Sequence, residues 1–300
     1  MPLPHRPLGK TGVEVPIIGY GTAPLGKIKV MDAPLLKKSE ALLNHAIDQG
    51  ITYLDTSPDY GSQPKVGEVM KTRRDEVFLA TKINKRQRKD VLNELQQNLK
   101  ELQTDHVDLI QVHAVNAMAD LEAALAPDGA LSALEEARRQ GMTRFIGITG
   151  HARPSVLAQA LERFDFDTVL SALGVIDRLV TGPEEVLLPV AQRKGVGVIA
   201  MKVYGHGEVK QREAALHYTL SLPGVSVAIL GMEEEAQIDE NVRFAQNFAP
   251  LPLGDMEKLV QEAKALVEND KPSDSSPIFW LYDIKTMAWQ EESEPFTVAY

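Results

Sequence analysis

Residues 51–113 read ITYLDTSPDYGSQPKVGEVMKTRRDEVFLATKINKRQRKDVLNELQQNLKELQTDHVDLIQVH, three short apolar runs separated by two amphipathic stretches. The runs 51–56, 77–83 and 107–113 are rich in Val, Ile and Leu and nearly all apolar, as strands covered on both faces should be. The stretches 65–73 and 89–102 carry apolar residues at helical spacing, so the segment predicts strand, helix, strand, helix, strand. The same alternation continues in both directions. Further strands are expected at 17–23, 144–149, 168–173, 197–202 and 225–230, and further helices at 39–49, 129–140, 154–163, 184–194, 210–220 and 234–248. Several of these helices stop at a glycine, as at Gly50, Gly141 and Gly195, which suits the left-handed residue that follows a helix. Units of about thirty residues, repeated without a Pro/Gly/Ser-rich linker, predict an α/β chain of the closed (β/α)8 TIM-barrel class. An open doubly wound sheet is the alternative, but no Gly-x-Gly-x-x-Gly follows the first strand and no P-loop lysine motif occurs.

The flanks fit one barrel domain over residues 1–300. Residues 1–16 contain Lys10-Thr11-Gly12 between short apolar stretches, a hairpin expected to plug the amino end of the barrel. The barrel itself would run over 17–248. Residues 249–300 would add a helix at 255–267 and then a tail that is first Pro- and Ser-rich and then aromatic, with Phe279, Trp280, Tyr282, Trp289, Phe296 and Tyr300.

Composition removes several function classes. Against 32 Lys and Arg stand 42 Asp and Glu, a formal charge of −10, which opposes a broad electrostatic grip on nucleic acid or anionic lipid. The absence of cysteine excludes disulfides, thiol nucleophiles, iron–sulfur clusters and cysteine-ligated zinc. None of the seven histidines forms a metal-binding spacing, so no metal is expected. No run approaches the ~20 apolar residues of a membrane span, and the proline-bearing first residues do not read as a signal peptide. The expectation is a cytoplasmic chain that is a monomer or weak homo-oligomer.

In such a barrel chemistry sits at the carboxyl ends of the strands. Three consecutive strand candidates end in Asp55-Thr56-Ser57-Pro58-Asp59-Tyr60-Gly61, Ala80-Thr81-Lys82 and Gln111-Val112-His113. Singly, each residue has an ordinary reading: Asp55 as turn chemistry, Lys82 as the start of the basic run through Lys85, Arg86, Arg88 and Lys89, His113 as a structural histidine, Tyr60 as a packing aromatic. Together they place four titratable groups at one mouth.

These stretches resemble the aldo-keto reductase superfamily. The resemblance rests on residues 50–67 with the following Glu68, on Leu79-Ala80-Thr81-Lys82, on residues 105–113, and on Ile238-Asp239-Glu240-Asn241, in order and spacing up to about Phe248. It implies a catalytic tetrad of Asp55, Tyr60, Lys82 and His113, and hydride transfer between a nicotinamide dinucleotide and an aldehyde or ketone, or the corresponding alcohol. Carbonyl reduction builds negative charge on oxygen and needs a proton donor. Tyrosine, with a pKa of about 10, needs help to exchange protons near neutrality. In this reading the Lys82 ammonium lowers the Tyr60 pKa, Asp55 holds Lys82, and His113 donates a hydrogen bond to the substrate oxygen. The substrate is a small carbonyl compound or alcohol. Two readings of another class remain beside it: a nucleotide-binding barrel with a regulatory or redox-sensing role, and a cofactor-independent lyase or isomerase.

The resemblance also implies where the cofactor lies. Gly21 and Thr22 would flank the pyrophosphate and nicotinamide end, with Asp55 beside them. Met201, Lys202 and Val203 would form another wall, and Gly231, Met232, Gln237, Glu240 and Asn241 would hold the adenosine half. The sequence departs from the family where Thr149-Gly150-His151 stands in place of the usual Ser-Asn, leaving Thr149 to donate; where Leu170 stands near a usual glutamine; and where Met201 replaces a stacking aromatic. At the adenosine 2′ position Gly231 and Gln237 occupy sites that often carry Lys or Arg. Glu233, Glu234, Glu235, Asp239 and Glu240 surround that position without a base. Family habit therefore favours NADP(H), with Lys202 or Arg243 to supply the charge, while local charge favours NAD(H). Family habit likewise places carboxyl-terminal segments at the substrate mouth, so Trp280, Tyr282 or Trp289 would either contact substrate or strap the barrel wall.

Overall fold

Eight parallel strands close into a barrel in the computed structural model, which describes residues 2–26 and 33–268. An antiparallel hairpin of β1 (His5–Pro7) and β2 (Glu14–Pro16) precedes it. The barrel strands are β3 (Ile18–Gly21), β4 (Tyr53–Asp55), β5 (Phe78–Ile83), β6 (Val107–Val112), β7 (Thr143–Gly150), β8 (Thr168–Ala172), β9 (Gly197–Met201) and β10 (Val225–Gly231), in sequence order, with β10 bonded back to β3. Around them lie α1 (Ala33–Asp48), α2 (Gln63–Arg73), α3 (Arg88–Glu101), α4 (Met118–Leu125), α5 (Ala130–Arg139), α6 (Pro154–Arg163), α7 (Val175–Val180), α8 (Pro183–Val186), α9 (Leu188–Lys194), α10 (Arg212–Ser221), α11 (Glu235–Gln246) and α12 (Leu253–Glu268). All eight strands fall within two residues of the expected ranges.

The core has two parts. Outside the barrel, strand residues such as Ile110 and Ile148 pack on helix residues such as Leu95 and Leu134. Inside it, Tyr53, Phe78, Leu109, Leu170, Ile199 and Ile229 form a separate cluster. Leu8 belongs to that inner cluster and is fully buried, and Lys10 N–H donates to the Gly195 carbonyl at 2.7 Å. The hairpin therefore closes the amino end as expected.

Three helices differ from expectation. The single helix expected over 184–194 is broken into α8 and α9 because Pro189 has no N–H to give the carbonyl one turn back. Residues 118–125, outside the helices expected above, form α4, with Leu121 and Ala124 buried. Residues 175–180, for which no helix was expected, form α7, capped where Gly174 N–H donates to Asp177 Oδ2 at 2.7 Å. The helix expected at 255–267 is α12, tied to α7 by Arg178 and Glu257 at 2.5 Å. The aromatic tail residues Phe279, Trp280, Tyr282, Trp289, Phe296 and Tyr300 lie outside the described residues. Among the described residues no helix is long and apolar enough to cross a membrane, and no cluster of potential ligands is arranged to hold a metal ion.

Candidate active site

Parallel pairing brings the three informative strand ends side by side. Asp55 pairs with Ala80 across β4 and β5, and Lys82 pairs with Gln111 across β5 and β6. Lys82 is completely buried. Its ammonium donates to Asp55 Oδ1 at 2.5 Å and to the Thr56 carbonyl at 2.8 Å. Gln111 Nε2 donates to the second Asp55 oxygen at 3.1 Å. Lys82 Nζ also stands 4.8 Å from the centroid of the Tyr60 ring, and the His113 ring meets Tyr60 edge-on at 6.3 Å. The four residues expected to act together are therefore adjacent.

Their electrostatics follow from burial and from each other. Burial works against the Lys82 ammonium, but Asp55 and Tyr60 outweigh it and raise its pKa above the ordinary value. Tyr60 shifts upward as well: burial raises its pKa, and the opposing pull of Lys82 reduces that rise without cancelling it. The expectation that Lys82 brings Tyr60 below an ordinary phenol does not hold in this structure, and Tyr60 stands as a protonated donor near neutrality. Burial first, then Lys82, lowers the His113 pKa to about 4, against the pull of Asp59. The neutral ring has Nδ1 2.7 Å from Asn84 Oδ1 and 3.7 Å from Asp59 Oδ1, both acceptors, so Nδ1 carries the proton. That tautomer leaves Nε2 as an acceptor; donation to a carbonyl, the role expected above, requires a second proton.

The surroundings fix this geometry. Thr81 Oγ1 donates to Gln63 Oε1 at 2.7 Å, Gln63 Nε2 donates to Asn98 Oδ1 at 3.1 Å, and Asn98 Nδ2 donates to the Lys82 carbonyl at 2.9 Å. This buried chain runs from α2 to α3 behind the lysine. Gly26 has no side chain because a Cβ there would fall 1.5 Å from the Tyr60 carbonyl oxygen, so the turn after β3 lies directly on the tyrosine backbone. Arg86, from the basic run, donates to the His113 carbonyl at 2.6 Å, whereas Lys85 and Lys89 are exposed. Ala114, Lys202 and His206 adopt left-handed backbone with φ of 54°, 62° and 54°. For residues with a side chain this costs about 1–2 kcal/mol each, and it clusters at the mouth, where strain commonly marks function.

A cavity of about 380 Å³ opens at this mouth. Asp55, Tyr60 and His151 line it, as do Arg212, Glu233 and Gln237. Of the residues expected to hold a cofactor, Gly21, Asp55, Met201, Lys202, Val203, Gly231 and Gln237 line it. Thr22, Thr149, Met232, Glu240 and Asn241 do not. Thr22 is buried and donates to the Asp55 carbonyl, tying β3 to β4. Thr149 is buried and its oxygen accepts from Ala114 N–H at 3.0 Å. The Met232 carbonyl accepts from Tyr20 Oη, and Asn241 Oδ1 accepts from Tyr204 Oη, each at 2.6 Å. Glu240 pairs with Arg212. Arg243, one of the two bases considered for the 2′ position, is exposed and lies over the Phe244 ring.

Sequence reading missed three cavity residues. The His151 ring makes no hydrogen bond to any described residue, and burial, then Lys202 and His113, hold its pKa well below the ordinary value, so it stays neutral. His206 lies 2.7 Å from the Lys202 ammonium, whose pKa burial lowers to about 8. Arg212 enters from α10. Only His151 had a signal, its place beside a departure from the family pattern.

Comparison with known proteins bears on the family and the fold. The model of the Aldo/keto reductase family matches residues 17–214. The L-galactose dehydrogenase of Arabidopsis thaliana is 27% identical over 312 residues, covering 88% of this chain and 94% of that protein. Aldo-keto reductase AKR11C1 from Bacillus halodurans, in its holo form, superposes with a TM-score of 0.73 at 25% identity, over 87% of this chain and 96% of that one. An aldo-keto reductase from Klebsiella pneumoniae in complex with NADPH shares the fold with a TM-score of 0.73 at 22% identity, over 87% and 95% of the two chains.

Proposed function

Because the chain belongs to the aldo/keto reductase family, we propose that it is a nicotinamide-dependent oxidoreductase that interconverts a small aldehyde or ketone with its alcohol, with Tyr60 as the proton donor and acceptor. The observation that carries this reading is the buried Lys82–Asp55 pair beside Tyr60, on the wall of a cavity of about 380 Å³. A barrel that only bound nucleotide would have no need to bury an ion pair against a phenol.

The residues that line the cavity suit a nicotinamide dinucleotide. Leu170, Met201 and Ile229 give it apolar surface for a flat ring, and the His151 imidazole, which makes no hydrogen bond among the described residues, offers one donor and one acceptor, as a carboxamide requires. Gly21 and Gly231 leave the backbone open to close approach, and the Lys202 ammonium supplies positive charge along the wall. Bound there, the nicotinamide ring supplies or takes the hydride. Tyr60 gives its phenolic proton to the carbonyl oxygen, and the Lys82 ammonium stabilises the phenolate left behind. Asp55 keeps Lys82 charged and in place. His113, with Nδ1 committed to Asn84, presents an acceptor to a substrate hydroxyl and so orients the alcohol form. Proton transfer of this kind contributes roughly 10²–10⁴ to rate.

The test is a parallel titration of the protein with NADPH and NADH, followed by a screen of aldehydes, ketones and alcohols with whichever binds. Micromolar binding and nucleotide-coupled turnover are expected. Binding of neither nucleotide below millimolar concentration would contradict the proposal.

A further inference from the structure

Asn84 stands exposed just after β5, yet its backbone is fixed from two sides. Its N–H donates to Glu94 Oε2 of α3 at 2.7 Å, and its carbonyl accepts from Arg86 at 3.1 Å. The same guanidinium donates to the His113 carbonyl, and the His113 N–H donates to the Ile83 carbonyl at 3.0 Å, so the ends of β5 and β6 are tied together. From that anchored position the Asn84 amide puts Oδ1 2.7 Å from His113 Nδ1 and Nδ2 3.4 Å from Asp59 Oδ1. An amide has one accepting end and one donating end, whereas a carboxylate only accepts. Turned over, Asn84 would set its oxygen against the Asp59 carboxylate and its NH2 against the ring. Asp59, itself held by the Ser57 hydroxyl, therefore decides which end of the amide the imidazole meets.

Taking the function proposed above as its premise, we propose that Asp59 and Asn84 are positioning residues for that reaction: the carboxylate orients the amide, the amide keeps the proton on His113 Nδ1, and Nε2 is thereby held as the acceptor for a substrate hydroxyl. Tyr60 then supplies a donor and His113 an acceptor. That pair is complementary to an alcohol oxygen, which accepts one hydrogen bond and donates another, whereas a carbonyl oxygen can use only the donor. The site thus holds the alcohol form more tightly than two donors would. Among the described residues, the ionisable groups that face the His113 ring are Asp59 and Tyr60 from the turn after β4, Lys82 from β5, Arg86 from the segment after β5, and His151 from the segment after β7. Of these only Asp59 is an anion. Its loss leaves the ring neutral, while a second carboxylate placed at position 84 favours imidazolium.

The experiment reads the tautomer directly, by long-range proton–nitrogen NMR on protein with nitrogen-labelled histidine, using His113→Gln to identify the ring. It compares the wild type with Asp59→Ala, Asn84→Leu and Asn84→Asp, changes at exposed positions that the fold should tolerate. The wild type is expected to show a protonated Nδ1 and a bare Nε2. Asn84→Leu should move the proton to Nε2, and Asp59→Ala, which frees the amide to turn, should give a mixture. Asn84→Asp should keep the wild-type tautomer and raise the His113 pKa by about 1–3 units, as an added opposite charge does. With the alcohol and carbonyl pair found by the screen above, Asn84→Leu should raise the KM of the alcohol about 2–10-fold, the worth of one hydrogen bond, without raising that of the carbonyl. Asn84→Asp, above its new His113 pKa, should keep the wild-type KM for the alcohol. A wild type with its proton on Nε2, a tautomer unmoved by Asn84→Leu and Asp59→Ala, or an alcohol KM that does not follow the tautomer overturns this assignment and leaves the role of Tyr60 standing. Tautomers that respond as expected in a protein that turns over no member of the screen support the orienting device and overturn the proposed function.

Discussion

At the scale of the residue, the site is a balance between burial and pairing around Lys82. Its ammonium is fully buried and compensated by Asp55, Thr56 and Tyr60. Removing one member of such a pair leaves an uncompensated buried charge, which costs about 3–5 kcal/mol. Lys82→Met alone should therefore lower stability to urea by that amount, and adding Asp55→Asn should restore part of it. A double variant no more stable than the single would show that the pair is not coupled. The Tyr60 shift gives a pH signature with a definite sign. Its pKa lies above the ordinary phenol value, so the proton-donating form persists through neutral pH and the accepting form grows as pH rises. Carbonyl reduction should stay level from about pH 6 to 9, and alcohol oxidation should climb over the same range. Lys82→Met, which removes the ammonium favouring phenolate, should push the rise in oxidation to higher pH. A reduction profile that falls with an apparent pKa near 7 would exclude Tyr60 as the donor. Asp55, Lys82 and His113 stood out in sequence because each ends or directly follows a short, strongly apolar strand, and Tyr60 because it lies on the turn that follows Asp55; their joint role came from the resemblance. His151 and Arg212 were not, since nothing in a solitary histidine or in a charged helix turn says that it faces a cavity.

Among the elements, strands were easier to read than helices for a physical reason. A strand buried on both faces is a nearly unbroken apolar run, whereas a helix over a barrel shows only a stripe and depends on breakers that act locally. Pro189 split one helix at a point its apolar spacing does not mark. In α4 the sequence Met-Ala-Asp-Leu-Glu-Ala-Ala-Leu is made of good helix formers, yet it lies outside the helices expected above. The hairpin was legible from its turn, and it plugs the barrel through Leu8 and Val15, with Val13 packed against them. Leu8 is fully buried inside the barrel, so Leu8→Ala should cost about 2–5 kcal/mol. Thermal unfolding of that variant checks it, and a loss below about 0.5 kcal/mol, the range of surface substitutions, would show that the hairpin is not part of the core.

For the whole molecule, closure of the barrel does what no local pattern reveals: it brings residues from distant helices to one cavity. The acidic stretch 233–240 shows this most clearly. Read along the chain it is hostile to a phosphate, but in the folded protein His45 of α1 pairs with Asp239 and Arg212 of α10 pairs with Glu240. Charge counted along the chain is thus a poor guide to charge counted around a cavity. Among the strands, parallel register sets Asp55 beside Ala80 and Lys82 beside Gln111, and the reading of proton transfer follows from that arrangement. The most direct test of the account is Tyr60→Phe, a change that removes one oxygen whose loss leaves the Asp55–Lys82 pair in place. With a carbonyl substrate that the wild type reduces, the variant should lose roughly 10²–10⁴ in turnover while its dissociation constant for the cofactor stays within about twofold, a free-energy change well below the 1.4 kcal/mol that marks a tenfold one. Turnover retained at the wild-type rate, with the cofactor still bound, would contradict the central claim.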